Sequence, residues 1–418
     1  MALPKILEGN ALVGQSGGPT AAINATLCGV VRGAKECKYI VKIYGAKNGI
    51  NGVITDNLID IGEILDSEEK LFLLECTPAA ALGSCRIKLA DINSSEDKLE
   101  NYKKIFETFK KYNIRYFFYI GGNDSMDTVD KLSKYAQKID YEIKLMGVPK
   151  TIDNDLVCTD HTPGFGSAAK FVATTMQEIT RDCSIYSIKA VTIVEIMGRD
   201  AGSLTASAGL PRLYGSDTAD LIYLPEVVFD YDLFIEDIIK LFMKKPNIVV
   251  AVSEGIRDKN GRYVGEVSQS GVADTFGHKY LAGTAKVLEN LVQEKLGCKV
   301  RSIELSLPQR CAGHSISKCD IDESIQIGKK SVEIAVRAEK NSGFISVFKR
   351  EDGDEYKVVI DAVPISEVAN KIKKVPESYI NNRKNNVTDA LLKEIAPLIK
   401  GEITIPMENG LPKHFVFN

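Results

Sequence analysis

Within six positions, Lys150-Thr151-Ile152-Asp153-Asn154-Asp155 offers a cation, a hydroxyl, two carboxylates and an amide. The stretch follows Val148-Pro149, at the end of an apolar run from Ile143 to Val148 that reads as a buried strand. So many polar groups at a strand's C-terminal edge are hard to explain as packing, and in open α/β sheets that edge is where ligands bind. A plain turn is the other reading, because Asn and Asp hydrogen-bond their own backbone in turns. Spacing alone leaves both open. Two glycine pairs, Gly17-Gly18 and Gly121-Gly122, also follow strands and precede helices. There the backbone can approach a ligand, and a helix N-terminus presents free N–H groups to an anion. Together they point to phosphate. No GxxxxGK[ST] occurs, which argues against a Walker A nucleotide site. Gly164-Phe165-Gly166-Ser167-Ala168-Ala169 fits GxGxxA only superficially and reads as the start of a helix. Asp124 would repel a phosphate unless a metal or a lysine compensates, and Lys150 is the candidate compensator.

The elements that must position these groups alternate along the chain. Strands are expected at 11–13, 39–44, 115–120, 143–148, 190–196, 220–224, 248–252, 300–305, 344–348 and 358–360. Helical spacing is read to about 32, over 97–112, to about 137, and at 166–181, 202–209, 231–243, 279–296 and 320–339. Such alternation implies parallel sheets flanked by helices. Three strands of the first half end in polar or glycine-rich turns, at 14–20, 121–125 and 149–155. If those strands share a sheet, the turns line one crevice.

The 418 residues are enough for two or three domains. With 53 Lys+Arg against 56 Asp+Glu, neither a nucleic-acid nor an anionic-membrane surface is indicated. An anionic ligand must therefore meet a local cluster of cations. No apolar run approaches a membrane span and no signal pattern opens the chain. The nine cysteines include no CxxC pair. A protein of a reducing compartment, the cytoplasm, is expected.

Gly121-Gly122-Asn123-Asp124-Ser125, Pro149 to Asp155, Met197-Gly198-Arg199, Ser253-Glu254-Gly255 and Gln309-Arg310 resemble, in order, the signatures of the phosphofructokinase family. The match is closest to its diphosphate-dependent branch, and it spans about Gly14 to Arg310. The resemblance implies two doubly wound, Rossmann-like α/β parallel-sheet domains with the active site in the cleft between them. The donor-binding domain would comprise 1–164, completed by about 309–342. The sugar-phosphate domain would comprise 165–308, completed by about 343–418. Asp153 would be the general base that takes the proton from the 1-hydroxyl of fructose 6-phosphate. A carboxylate is a weak base for an alcohol, so charge neutralisation must supply most of the catalysis. Thr151, Ile152 and Asp155 would position the sugar; Met197, Gly198 and Arg199 would hold the substrate, with Arg199 also near the transferring charge. Glu254 would accept sugar hydroxyls. Arg310, with Leu307, Gln309 and Arg301, would grip the 6-phosphate. Gly17, Gly18, Arg86, Gly122 and Ser125 would hold the phosphoryl donor, with Mg²⁺ bridging its oxygens.

Lys150 and Asp124 both stand where the ATP-dependent branch typically has glycine, which favours diphosphate as donor and a reversible reaction. The sequence departs from the family at three places. Asn123 replaces the aspartate that holds the metal and offers only a neutral oxygen. Ala190, beside Lys189, falls where an arginine reaches across a subunit boundary. Leu307 replaces a histidine or tyrosine. A homodimer or homotetramer is expected. The rival readings are an ATP-dependent enzyme, a catalytically silent sugar-phosphate-binding subunit and, more distantly, a dinucleotide dehydrogenase.

Overall fold

In a computed structural model, residues 6–265, 283–339, 341–353 and 355–417 are described. The strands are β1 (Gly9–Gln15), β2 (Ile40–Ala46), β3 (Leu58–Asp60), β4 (Ile114–Gly121), β5 (Lys144–Pro149), β6 (Ala190–Ile196), β7 (Leu221–Tyr223), β8 (Asn247–Ser253), β9 (Lys299–Glu304), β10 (Gly343–Arg350) and β11 (Val358–Pro364). A seven-stranded sheet has the order β11-β10-β5-β4-β1-β2-β3, and a four-stranded sheet the order β7-β8-β6-β9. The small sheet is parallel throughout. The large one is parallel from β10 to β2, with an antiparallel strand at each edge.

Side chains of a strand alternate between faces, and here both faces are covered, so the strands read as nearly continuous apolar runs. On β4, Phe117 and Tyr119 enter one core while Tyr116, Phe118 and Ile120 enter the core on the opposite face. On β6, Val194 and Ile196 face one way and Val191 and Ile193 the other. The expected strand 190–196 matches β6 at both ends. The expected helix 279–296 is seen as Thr284–Leu296, with 279–282 outside the described residues.

Helix Lys318–Arg337 returns to the first sheet, packed against helix Ile23–Glu36. The two cross where both are glycine. A Cβ on Gly29 would come within 2.1 Å of the Ile325 carbonyl oxygen, and one on Gly328 within 2.3 Å of that of Thr26. Helix Lys318–Arg337 thus lies with the first sheet. The expected boundary after 342 differs. β10 pairs with β5, and β11 with β10, so 343–364 extends the first sheet rather than the second. The reason is an apolar run (Ile345, Val347, Phe348) that covers the otherwise open edge of β5. Only later does the tail serve the second core, through residues such as Val375, Leu392 and Leu398, before Phe417 returns to the first.

Candidate active site

In the large sheet the chain runs from β1 to β2 on one side and then crosses to β4 on the other. The turns after β1 and β4 therefore diverge and leave a crevice at the C-terminal edge, as expected of a doubly wound sheet. The C-terminal ends of β6, β8 and β9 face it from the second sheet. Together they enclose a cleft of about 780 Å³, lined from the first domain by the turns 17–19, 122–125 and 150–155 and from the second by 195–201, Glu254 and 304–310.

Lys150 is the centre of the first-domain wall. Its side chain is buried, the residue being 3% exposed, and Nζ donates to the Gly18 carbonyl oxygen at 2.6 Å. Its backbone N–H donates to the Gly121 carbonyl at 3.0 Å, tying the two glycine turns together. Gly17 is left-handed at φ +75°. Ser84 Oγ donates to the Gly17 carbonyl at 2.7 Å, which anchors the loop bearing Arg86 and Lys88 at the cleft. Burial pushes the Lys150 ammonium down to about 8, with Arg310 and Arg86 adding to the effect and Asp153 and Asp155 opposing it. A cation held at such cost among other cations is poised for a dense anion.

Asp153 sits one turn further on. Its N–H donates to Thr151 Oγ1 at 3.1 Å, and Thr162 Oγ1 donates to the Thr151 carbonyl at 2.8 Å, so the loop is braced from both sides. Burial raises the Asp153 carboxyl, against Lys150 and Arg199. Burial and then the Asp153 charge push Asp155 up to about 7 and Glu254 up to about 8. Three carboxyl groups thus meet across the cleft, and all three are raised above the usual carboxylate range.

On the second-domain wall, the Gly198 N–H donates to Glu254 Oε1 at 3.3 Å and Ser253 Oγ to the Gly198 carbonyl at 2.6 Å. The Met197 N–H donates to Gln309 Oε1 at 3.1 Å. These bonds stitch the ends of β6, β8 and β9 together. Gly255 is required here because a Cβ would lie 1.8 Å from the Arg199 carbonyl oxygen. Arg199 lines the cleft, and its buried Nε lacks a hydrogen-bond partner among the described residues, which suits an incoming anion.

The expected residues therefore converge, except Gly198 and Arg301, and Asn123 reaches the cleft with its amide already engaged. Gly198 is buried behind the cleft wall and contributes only backbone bonds. Arg301 is not in the cleft. It lies near the start of β9, beside Tyr186 and Lys299 at the N-terminal edge of the small sheet, whereas the cleft lies at the C-terminal edge. Asn123 is committed elsewhere: its Oδ1 accepts the Asn370 N–H at 2.8 Å, and its Nδ2 donates to the Lys371 carbonyl. Its amide anchors the C-terminal segment at both ends. Arg310 reaches further towards the donor than expected, with a guanidinium nitrogen 3.3 Å from where a Cβ of Gly18 would stand.

A family model described as phosphofructokinase matches residues 10–335. The chain belongs to the phosphofructokinase family. Its relatives include the pyrophosphate–fructose 6-phosphate 1-phosphotransferase of Halomonas elongata, 38% identical over 407 residues, covering 97% of this chain and 95% of that one. The enzyme of the same name from Methylococcus capsulatus is 38% identical over 408 residues, with 97% and 95% covered. Among solved structures, the pyrophosphate-dependent phosphofructokinase of Nitrosospira multiformis superposes with a TM-score of 0.86 at 35% identity, covering 98% of this chain and 96% of that one.

The phosphofructokinase cleft also contains residues that sequence reading missed. Lys88 adds a cation to the first-domain wall, and Glu195 and Glu304 add carboxyl groups to the second. Burial pushes Glu195 up to about 7, although it accepts the Ala285 N–H at 2.8 Å. Asn370 and Ile372 close the rim from the C-terminal segment. The spacing of Arg86 and Lys88, two apart, was a usable signal for Lys88; nothing local marked Asn370.

Proposed function

We propose that the protein is a diphosphate-dependent 6-phosphofructokinase, transferring a phosphoryl group from diphosphate to the 1-hydroxyl of fructose 6-phosphate, reversibly. The observation that carries this reading is Lys150, a buried ammonium fixed between the Gly17-Gly18 turn and Asp153. It supplies compact positive charge where a short anion would lie. Asp124 lines the same side and would oppose the additional charge of a nucleotide.

In this reaction the O1–P bond forms as the bridging P–O bond of diphosphate breaks, and phosphate leaves with the bridging oxygen. Asp153 takes the proton from O1 as the new bond develops. Lys150, Arg310 and Arg199 neutralise charge on the transferring group, with Arg86, Gly122 and Ser125 holding the donor. Asp155 and Glu254, with carboxyl groups near neutrality, orient the sugar hydroxyls. Among the described residues no three His, Cys, Asp or Glu side chains form a ready metal cage. The cleft instead offers Asp124, which suits Mg²⁺, an ion that binds through one or two carboxylates plus substrate phosphates and water. Bound there, the metal would supply charge neutralisation to the diphosphate oxygens.

As part of the same reading, the enzyme is cytoplasmic, supported by nine free cysteines. It is a homo-oligomer, supported by Ile185, Tyr186 and Ile188, which stand exposed near Arg301. Incubation with Mg²⁺, fructose 6-phosphate and ³²P-diphosphate tests the function. Label should appear in fructose 1,6-bisphosphate with an equal yield of phosphate; release of phosphate without labelled sugar would refute it.

A further inference from the structure

Residues 370–375 cross the rim of the cleft and touch both domains. At one end, the Asn370 N–H donates to Asn123 Oδ1 at 2.8 Å and Asn370 Nδ2 to Asp127 Oδ1 at 2.9 Å. At the other, the Val375 N–H donates to Glu226 Oε1 at 2.9 Å. The same carboxylate oxygen accepts the Gly202 N–H at 2.8 Å, just beyond Arg199. Between these anchors stands Lys373.

Its ammonium has three N–H donors, and they meet three acceptors on one loop: the Asp160 carbonyl at 2.7 Å, Asn154 Oδ1 at 3.1 Å and the Thr159 carbonyl at 3.1 Å. Its backbone N–H adds a fourth bond, to the Asp155 carbonyl at 2.7 Å. The loop so gripped is the one that carries Asp153 and Asp155. Between those two carboxylates, Asn154 adopts φ +54°, in the left-handed region. A non-glycine residue persists there only where its surroundings over-determine it, and such strain gathers at functional loops. Lys373 provides that constraint directly, through the Asn154 side chain. It is not among the residues that line the cleft.

We propose that Lys373 is a positioning residue for phosphoryl transfer: it acts through Asn154 and the Asp155 backbone to aim the Asp153 carboxylate, without itself touching substrate. This rests on Asp153 being the base.

The test compares Lys373→Met, Asn154→Gly, Asp153→Asn and the Lys373→Met/Asp153→Asn double variant. Readouts are kcat, both KM values, and diphosphate affinity by equilibrium titration. A misaimed base costs turnover rather than binding, so Lys373→Met should lower kcat about 30- to 100-fold. Its KM values and diphosphate affinity should stay within about threefold. With Asp153→Asn already present, the same substitution should add less than about twofold, since residues acting as a unit are non-additive. Methylamine should partly restore turnover to Lys373→Ala. A Lys373→Met enzyme with kcat within about twofold of the parent overturns the proposal, as does an undiminished effect in the Asp153→Asn background. Asp153→Asn with parental kcat would instead overturn the base assignment. Should Lys373→Met fail to fold, Asn154→Gly carries the test. It removes one acceptor and relieves the strain, and it should lower kcat about tenfold at unchanged KM; unaltered kcat overturns the proposal.

Discussion

Lys150 concentrates the chemistry of the donor side in one side chain, and its burial gives a pH dependence with a definite sign. With its ammonium pushed down to about 8, the free enzyme loses that charge as pH rises through 8, and diphosphate capture weakens. Bound diphosphate would restore the pKa upwards, because a neighbouring anion favours the charged form. The alkaline limb of kcat/KM for diphosphate should therefore fall near pH 8, with that of kcat at higher pH. Lys150→Met should abolish the lower limb, which a pH series on the two enzymes would reveal. The acid limb has the opposite origin: the raised Asp153 carboxyl must be ionised, so activity should fail at a higher pH than for an ordinary aspartate. Donor choice is testable at the same scale. Lys150→Gly with Asp124→Gly should weaken diphosphate use and permit some turnover with ATP, measured as initial rates with each donor. Sequence was informative about such residues when they lay in strand-end turns. It brought Lys150 and Asp153 together because both follow the apolar run 143–148, whereas Glu254 and Arg199 came only through the family resemblance. Arg301 was misplaced for a reason already visible, its position second in an expected strand, at the edge away from the ligand.

The loops that carry these residues are held by elements behind them. His161 ends the catalytic loop, buried and stacked on Phe348 at 4.4 Å, with Nδ1 2.9 Å from Asp160 Oδ1 and Nε2 2.8 Å from Glu323 Oε2. Burial opposes its charge, but the bonds to Asp160 and Glu323 prevail and raise its pKa. A raised histidine contributes stability that is fully present below its unfolded pKa of about 6.5 and is lost as pH rises through the folded value. The melting-temperature gap between the parent and His161→Gln should be widest below about pH 6.5 and close towards alkaline pH. At the other domain's loop, Gly255→Ala would drive a methyl group into the Arg199 carbonyl. It should cost about 1–3 kcal/mol by denaturant unfolding, and activity with it as Arg199 shifts. The long helices and the central strands were legible because their periodicity is strong, whereas the short helices Ile50–Ile54, Glu68–Glu75 and Asp389–Ile395 were not. The edge strand β3 and the 370–375 segment were not, since three residues or a polar tail carry no period, and their positions depend on partners far away in sequence.

At the scale of the molecule, the cleft is a product of connectivity. The chain builds the first sheet, crosses at helix Phe165–Cys183 to build the second, returns with helix Lys318–Arg337, crosses again after β11, and comes back to the first core at Phe417. Alternating signatures along the sequence implied several crossings, yet not where the later ones fall. Apolar strands at 343–364 fit either sheet by pattern, and the open edge of β5 decides between them. Each crossing ties the two sheets together across the cleft. The central claim is that this cleft uses diphosphate and not a nucleotide to phosphorylate fructose 6-phosphate. Initial rates for the purified protein with Mg²⁺ and fructose 6-phosphate, with diphosphate and ATP compared at equal concentration, test it most directly. Turnover with diphosphate at least about a hundredfold above that with ATP is expected, a gap of about 2.7 kcal/mol. Equal or faster turnover with ATP would contradict the account.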